Sequence, residues 1–158
     1  MYAPLDRLRP AAPLVIRVTV GIIFLWHGIN KFRGAGISGV EGAFDMWGVP
    51  APSVTAPLTA VIEIVGGTAL IIGLLTRVAA GLLAIVIVGA LLFVTIELGL
   101  ISSEPKPGAE LDLALLAGLI AVMLLGPGPV SVDELAGIDQ TGIDAHHRLP
   151  PEPSEVRA

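Results

Sequence analysis

Long apolar stretches alternate with short polar links along this chain. In the clearest of them, residues 78–96 follow Arg77 without a single charged side chain. An uncharged stretch of 18 or more residues is long enough to cross the ~30 Å hydrocarbon core of a bilayer as a helix. The whole pattern predicts four spans, at about residues 14–32, 56–75, 78–100 and 109–126. We therefore predict an all-α membrane protein, an antiparallel four-helix transmembrane bundle, because short links force neighbouring helices together.

The polar segments complete the predicted organisation. Residues 1–13 form a Pro-rich polar arm, residues 14–128 the membrane domain, and residues 129–158 a short helix followed by a polar, disordered tail. Between the first two spans, apolar residues recur at helical spacing over residues 40–47, which predicts a short helix at the membrane surface. Trp47 is expected at the level of the lipid headgroups. Ser131 and Glu134 match a capping box, which predicts the short helix after the last span.

Composition restricts the chemistry. The chain is 54% hydrophobic and 15% charged, with a net charge of -5. Without clustered Lys and Arg, it has no signal for nucleic acid, and the lipid bilayer is the expected partner. The absence of cysteine excludes thiolate chemistry, iron–sulfur clusters and Cys-type zinc sites. No metal site is predicted. Haem held by two histidines is also not expected, because His27 is the only histidine in a span and His146 and His147 lie in the tail.

The distribution of basic residues sets the predicted orientation. Four spans place both termini on one side of the membrane. Arg7, Arg9, Arg17 and Arg77 lie near that side, and Lys31, Arg33 and Lys106 lie near the other. Under the positive-inside rule this excess predicts that both termini are cytoplasmic.

Polar residues within the spans identify a candidate site. In this orientation His27, Asn30 and Lys31 lie near the outer end of the first span, at i, i+3 and i+4 on one face. Glu63 lies at a matching depth in the second span, among apolar neighbours. Ionisable groups at such depth are costly and usually face the bundle interior or a wet cavity. We predict an ion pair between Lys31 and Glu63, with His27 and Asn30 as hydrogen-bonding neighbours.

The other polar residues at span ends are predicted to be structural: Arg17, Arg77, Glu97 and Asp112. Arg17 and Arg77 are expected at the inner membrane interface. For Glu97, Glu110 and Asp112, solvation at a span end is an equally good explanation. Lys31 could instead extend to the headgroups.

Several of these residues belong to patterns that resemble a known family. The patterns are Arg17-x-x-x-Gly21-x-x-Phe24-x-x-x-Gly28-x-x-Lys31, Glu63-x-x-Gly66-Gly67-x-x-Leu70-x-x-Gly73-Leu74-x-Thr76-Arg77, the Trp47-Gly48-Val49-Pro50 loop, and Gly126-Pro127-Gly128 followed by Ser131 and Asp133. Over roughly residues 14–135 the chain is similar to the DoxX-like membrane proteins. Members commonly carry a basic and an aromatic residue after the exit glycines, where this chain has Pro129 and Val130.

The resemblance implies a multi-pass protein of the bacterial plasma membrane. Some relatives are described as subunits of thiosulfate:quinone oxidoreductase, and others as membrane partners of oxidative-stress enzymes. The resemblance therefore implies a membrane or soluble redox partner, or a homo-oligomer, without settling whether the chain is itself catalytic.

Three functions remain open from the residues. The first is a quinone-linked redox subunit, with His27, Asn30 or Lys31 bonded to the quinone and Glu63 relaying protons. The second is a non-catalytic membrane anchor or assembly subunit. The third is a small-solute or proton carrier, which the lack of broken helices disfavours.

Overall fold

The computed structural model describes residues 8–95, 99–101 and 108–139, and these residues are helical without any strand among them. A 3₁₀ turn at Arg9–Ala11 leads into the first helix, and a π-helical turn at Leu91–Thr95 extends the fourth. The α-helices are α1 (Ala12–Arg33), α2 (Gly36–Met46), α3 (Pro52–Ile72), α4 (Thr76–Ala90), α5 (Glu110–Leu125) and α6 (Val132–Leu135).

Helix length distinguishes three candidate membrane spans. Arg9–Arg33, Pro52–Ile72 and Thr76–Thr95 are long and apolar enough to cross a bilayer. Helix α5 coincides with the fourth predicted span but has 16 residues, slightly fewer than a typical crossing needs.

The observed helix ends differ from the predicted span limits where backbone conformation intervenes. Helix α3 begins at Pro52, before the predicted residue 56, because proline fits the first turn of a helix. It ends at Ile72, before the predicted residue 75, because Gly73 and Leu75 adopt left-handed conformations with φ of 72° and 45°. The third predicted span continues to residue 100, but residues 99–101 are not helical.

Two predictions about the flanking segments have different outcomes. The predicted helix at residues 40–47 is present as the longer α2. The predicted disordered tail from about Asp139 lies outside the described residues, except for Asp139 itself.

Backbone contact between α1 and α3 sets the register of these helices. A Cβ atom on Gly67 would lie 2.7 Å from the Gly21 carbonyl oxygen, and one on Gly28 would lie 3.0 Å from the Ala60 carbonyl oxygen. Later residues of α1 thus face earlier residues of α3, so the two helices run antiparallel. Glycine permits this approach because no side chain separates the backbones.

The remaining long helices complete a ring. Helix α4 packs against α3 and α5, and α5 also packs against α1. Leu83 contacts α3 at Gly66, and Val20 contacts α5 at Gly118. The side chains at the centre are apolar and fully or almost fully buried: Phe24, Leu70, Leu83, Leu119 and Val122.

The outer surface of the ring is also apolar. Large hydrophobic side chains are exposed along each helix, among them Val15, Ile22 and Trp26 on α1, Leu58, Val61 and Val65 on α3, Leu82 and Ile85 on α4, and Ile120 and Leu124 on α5. Soluble monomers rarely expose continuous apolar surfaces of this kind. This exterior is suited to contact with lipid.

The α1–α3 contact generates a stability prediction. Gly67→Ala would place a methyl group 2.7 Å from both the Gly21 carbonyl oxygen and the Leu25 nitrogen. The helices must separate, so we expect a loss of about 1–3 kcal/mol, the usual range for overpacking. Gly89→Ala is the matched control, because its Cβ would meet nothing within 4 Å. Thermal unfolding in detergent should show a lower midpoint for Gly67→Ala alone; equal midpoints would contradict the backbone contact.

Candidate functional site

Lys31 and Glu63 form an ion pair between the end of α1 and the middle of α3. The Lys31 Nζ donates to Glu63 Oε2, and the two side chains are 20% and 7% exposed. Gly28 makes this possible, because it brings α1 against Ala60 and Ile64 on either side of Glu63. The ion pair predicted from the sequence is therefore confirmed. Such a pair offsets the desolvation of each charge with the attraction of the other.

His27 and Asn30 do not join this pair inside the bundle. Both are exposed, unlike Glu63. The buried stripe of α1 passes through Gly21, Phe24 and Gly28, and only Lys31 continues it. His27 precedes Gly28 by one residue, which turns it about 100° away on a helix. Its Nδ1 lies 2.8 Å from the Ile23 carbonyl oxygen. A carbonyl oxygen only accepts, so a hydrogen bond at this place requires a proton on Nδ1.

A second polar contact lies at the same end of the ring. Thr95 Oγ1 donates to Asp112 Oδ2 at 2.9 Å, joining the π-helical turn after α4 to the first turn of α5. Asp112 is half-buried and Thr95 is buried, so Asp112 has a side-chain partner in addition to its partial contact with solvent. Glu97 lies outside the described residues.

Arg17, predicted to be structural and to lie at the inner membrane interface, has a side chain that is fully buried within the protein. Its Nη1 donates to the carbonyl oxygens of Leu70 and Ile71 at 3.0 and 2.9 Å. Its Nη2 donates to those of Pro129 and Val130 at 3.4 and 2.7 Å. The last carbonyls of a helix lack intrahelical partners, and the guanidinium satisfies those at the end of α3.

Asp133 performs the opposite task at the start of α4. Its carboxylate accepts from the backbone N–H groups of Leu75 and Thr76 at 2.7 and 2.8 Å, and its own N–H donates to the Gly73 carbonyl oxygen. A carboxylate at a helix N-terminus and a cation at a C-terminus both complement the helix dipole. The α3–α4 turn is thus bound by one charge of each sign, from distant parts of the chain.

The capping box indicated the helix after the last span but not this role. Ser131 Oγ accepts from the Glu134 N–H at 3.1 Å, which confirms the predicted cap of α6. Nothing in the local pattern indicates that the neighbouring Asp133 binds a turn almost 60 residues earlier. The only sequence signal for the contact is the glycine opposite it. A Cβ on Gly73 would lie 2.5 Å from both Arg17 Nη1 and Ser131 Cβ.

Arg77, predicted to lie at the inner membrane interface, is exposed at the surface of the protein. Its Nε lies 2.5 Å from Asp139 Oδ2, and its Nη1 donates to the Met123 carbonyl oxygen. Arg77 and Asp139 line a shallow cavity of about 180 Å³ beside Asp133. Within the described residues, no cluster of three or more histidines or carboxylates could hold a metal ion.

Most of these residues fall within a region that a known family shares. The family model described as DoxX matches residues 12–96, more than half of the chain. The chain belongs to the DoxX family. The match contains Arg17, Lys31, Glu63 and Gly73. The DoxX region therefore supplies the ion pair and the contacts that Arg17 makes at the α3–α4 turn. Asp133 lies beyond it.

Two relatives extend the similarity. An "Uncharacterized membrane protein Rv3486" of Mycobacterium tuberculosis (strain ATCC 25618 / H37Rv) is 40% identical over 132 residues, covering 78% of this DoxX chain and 80% of the relative. A "Putative oxidoreductase CatD" of Bacillus subtilis (strain 168) is 34% identical over 121 residues, covering 76% and 83%. No solved structure matches the chain.

The unequal burial of the ion pair in this DoxX protein predicts unequal effects of its removal. Lys31→Met leaves the Glu63 carboxylate buried without a cation, which should destabilise by about 3–5 kcal/mol. Glu63→Gln should cost less, because the partly exposed Lys31 can extend to water. The double variant should recover much of the loss. Detergent unfolding of all four proteins measures this cycle, and additive losses would show that the charges do not interact.

Proposed function

We propose that this DoxX protein is an accessory subunit of a membrane redox system, and that it engages a quinone or similar lipid-soluble ligand beside Lys31 and Glu63. The observation that carries the proposal is the ion pair itself, buried between two apolar membrane helices. Ionisable residues inside spans are functional candidates by default.

A comparison of the Lys31–Glu63 pair with the contacts of Arg17 and Asp133 favours a role beyond packing for this pair. Arg17 and Asp133 bind backbone groups that would otherwise lack partners. Lys31 and Glu63 bind each other, and none of their contacts serves the end of a helix. Well-packed apolar residues often replace such a pair without loss of stability. Folding alone gives little reason for charge at this place, whereas ligand chemistry does.

The chemistry of a quinone fits the residues around the pair. A quinone head rests near the membrane interface, and its carbonyl oxygens accept hydrogen bonds. Lys31 and Asn30 can donate to such an oxygen, and Glu63 can exchange a proton on reduction. His27 and Asn30 are exposed beside the pair, so the ligand would approach sideways along α1, with its tail on apolar side chains. The name of the Bacillus subtilis relative includes the word oxidoreductase, which supports a redox setting.

The proposed membrane arrangement is a four-span antiparallel bundle in the bacterial inner membrane, with both termini cytoplasmic. The ring of long helices and the three-residue link between α3 and α4 support it. In this arrangement the lipid bilayer covers the apolar exterior. The redox partner is another membrane or soluble protein, or a second copy of the chain.

The alternative is a non-catalytic membrane anchor or assembly subunit. One observation favours it: Lys31 and Glu63 already satisfy each other, so the pair can hold α1 to α3 without any ligand.

The orientation has a direct test, because the chain contains no cysteine. Ser38→Cys on α2 and Leu135→Cys on α6 would each introduce one exposed thiol. We expect an impermeant maleimide to label Ser38→Cys in whole cells, and Leu135→Cys only after permeabilisation. The reverse pattern would place the termini outside and the ion pair near the cytoplasm.

The ligand proposal is tested by the quinone content of protein purified from native membranes. We expect quinone to accompany the wild-type protein, and Glu63→Gln to weaken its retention about tenfold, the effect of losing one good interaction. Glu41→Gln, the same change on α2, is the matched control and should retain wild-type content. If neither wild type nor Glu63→Gln carries quinone and the two behave alike in quinone-coupled assays, the anchor function is the one that remains.

A further inference from the structure

The segment after α5 closes over the end of the bundle without belonging to it. We call residues 126–139 the clasp. Arg17 Nη2 donates to its Pro129 and Val130 carbonyl oxygens. From the other side, Asp133 of the clasp accepts from the Leu75 and Thr76 N–H groups. The clasp is therefore fastened by one buried charge on each side of the α3–α4 turn, and at its end by the ion pair of Asp139 with the exposed Arg77.

The fastening is polar rather than hydrophobic. Three large apolar side chains of the clasp are exposed, Val130 at 78%, Leu135 at 87% and Ile138 at 54%, while Pro127 is fully buried. Its buried residues include Gly126, Pro127, Ser131 and Asp133. Segments with few buried apolar contacts are the ones that open locally while the core stays folded. The clasp is therefore suited to open as a unit.

The first residues of the clasp have backbone conformations that suit such a movement. Gly126 and Gly128 have φ of 81° and 67° and can absorb a change of direction without strain in a side chain. Val130 has a φ of 58°, which a β-branched residue rarely adopts. Its carbonyl accepts from Arg17 across the closure, whereas its N–H donates to Glu134 within the clasp, so only the first of these contacts depends on the closed state.

Two residues that bind the clasp, Arg17 and Thr76, also have buried polar atoms whose hydrogen-bonding is incomplete. Arg17 Nε and Thr76 Oγ1 are buried with no hydrogen-bond partner within the described residues. Buried polar atoms without partners oppose closure, because they lose water and gain nothing. Closure is therefore held by a small number of charge-assisted bonds working against both this loss and the strain at Val130.

From these observations we propose that the clasp is a hinged closure that Arg17 and Asp133 hold shut, and that opens while the membrane helices stay assembled. Opening would uncover the Arg17 guanidinium, the last carbonyls of α3 and the first N–H groups of α4. Binding or movement of the clasp on the aqueous side of the protein would thereby affect α1 and the α3–α4 turn. It is a two-state element of the kind through which local contacts bias a larger structure.

Thiol accessibility tests this proposal, because the chain has no cysteine of its own. Ser131→Cys places a thiol at a site that is 1% exposed when the clasp is closed, and Ala60→Cys places one in the α1–α3 contact. The labelling rate of each reporter is compared in detergent, in an otherwise wild-type background and with Arg17→Met. Asp133→Asn is the second opening variant, in case Arg17→Met does not accumulate. Arg33→Met, an exposed arginine on the same helix, is the matched control.

We expect Arg17→Met or Asp133→Asn to speed labelling at Ser131→Cys on the order of ten- to a hundredfold, the effect of losing hydrogen bonds to a charged group. Labelling at Ala60→Cys should stay slow, and Arg33→Met should change neither reporter. Equal rates at Ser131→Cys in all backgrounds would show that these charges do not hold the clasp. Faster labelling at both reporters would show that Arg17 and Asp133 support the whole bundle, and would overturn a separate closure.

Discussion

The approach of α1 and α3, backbone against backbone at Gly21 and Gly67, is the constraint on which the other contacts depend. It fixes one register for two antiparallel helices. At one end that register brings Lys31 to Glu63, and at the other it brings Arg17 to the carbonyl oxygens of Leu70 and Ile71. A shift by one turn would separate both sets of partners. The separation would leave the buried Glu63 carboxylate and the buried Arg17 guanidinium without these partners.

The two ends of this register solve different problems. At the α3–α4 turn, opposite charges complete helix termini that have no side-chain caps of their own. At the other end, within the described part of the chain, Lys31 and Glu63 bind each other and no helix terminus. This difference is the physical reason why Arg17 and Asp133 have a structural role and why ligand chemistry is proposed for Lys31 and Glu63. The double-mutant cycle measures the energetic side of the distinction, and quinone retention measures the chemical side.

The sequence predicted features that follow from the bilayer and failed where a contact is made across the chain. Hydropathy located the long helices, because hydrocarbon thickness imposes their length. Depth matching found the pair of Lys31 and Glu63, because each charge alone would be costly. The burial and the partners of Arg17 were not predicted, because an arginine near a helix end ordinarily extends to the headgroups, and nothing local reveals the carbonyls that surround it. The exposure of His27 and Asn30 depends on a rotation of α1 that only its contacts with α3 fix.

Arg17 can be buried because α5 ends early and the chain after it supplies carbonyl partners. Helix α5 has 16 residues, against 22 in α1, and stops at Leu125 before a Gly-Pro-Gly-Pro sequence. The backbone of residues 126–131 is not helical, yet its Pro129 and Val130 carbonyl oxygens accept hydrogen bonds from the buried Arg17. Buried polar backbone groups outside a helix need partners of this kind. A guanidinium has five donors in a fixed plane, so it can bind the end of α3 and residues 129–130 at the same time. A lysine ammonium at the same place would satisfy these carbonyls less completely.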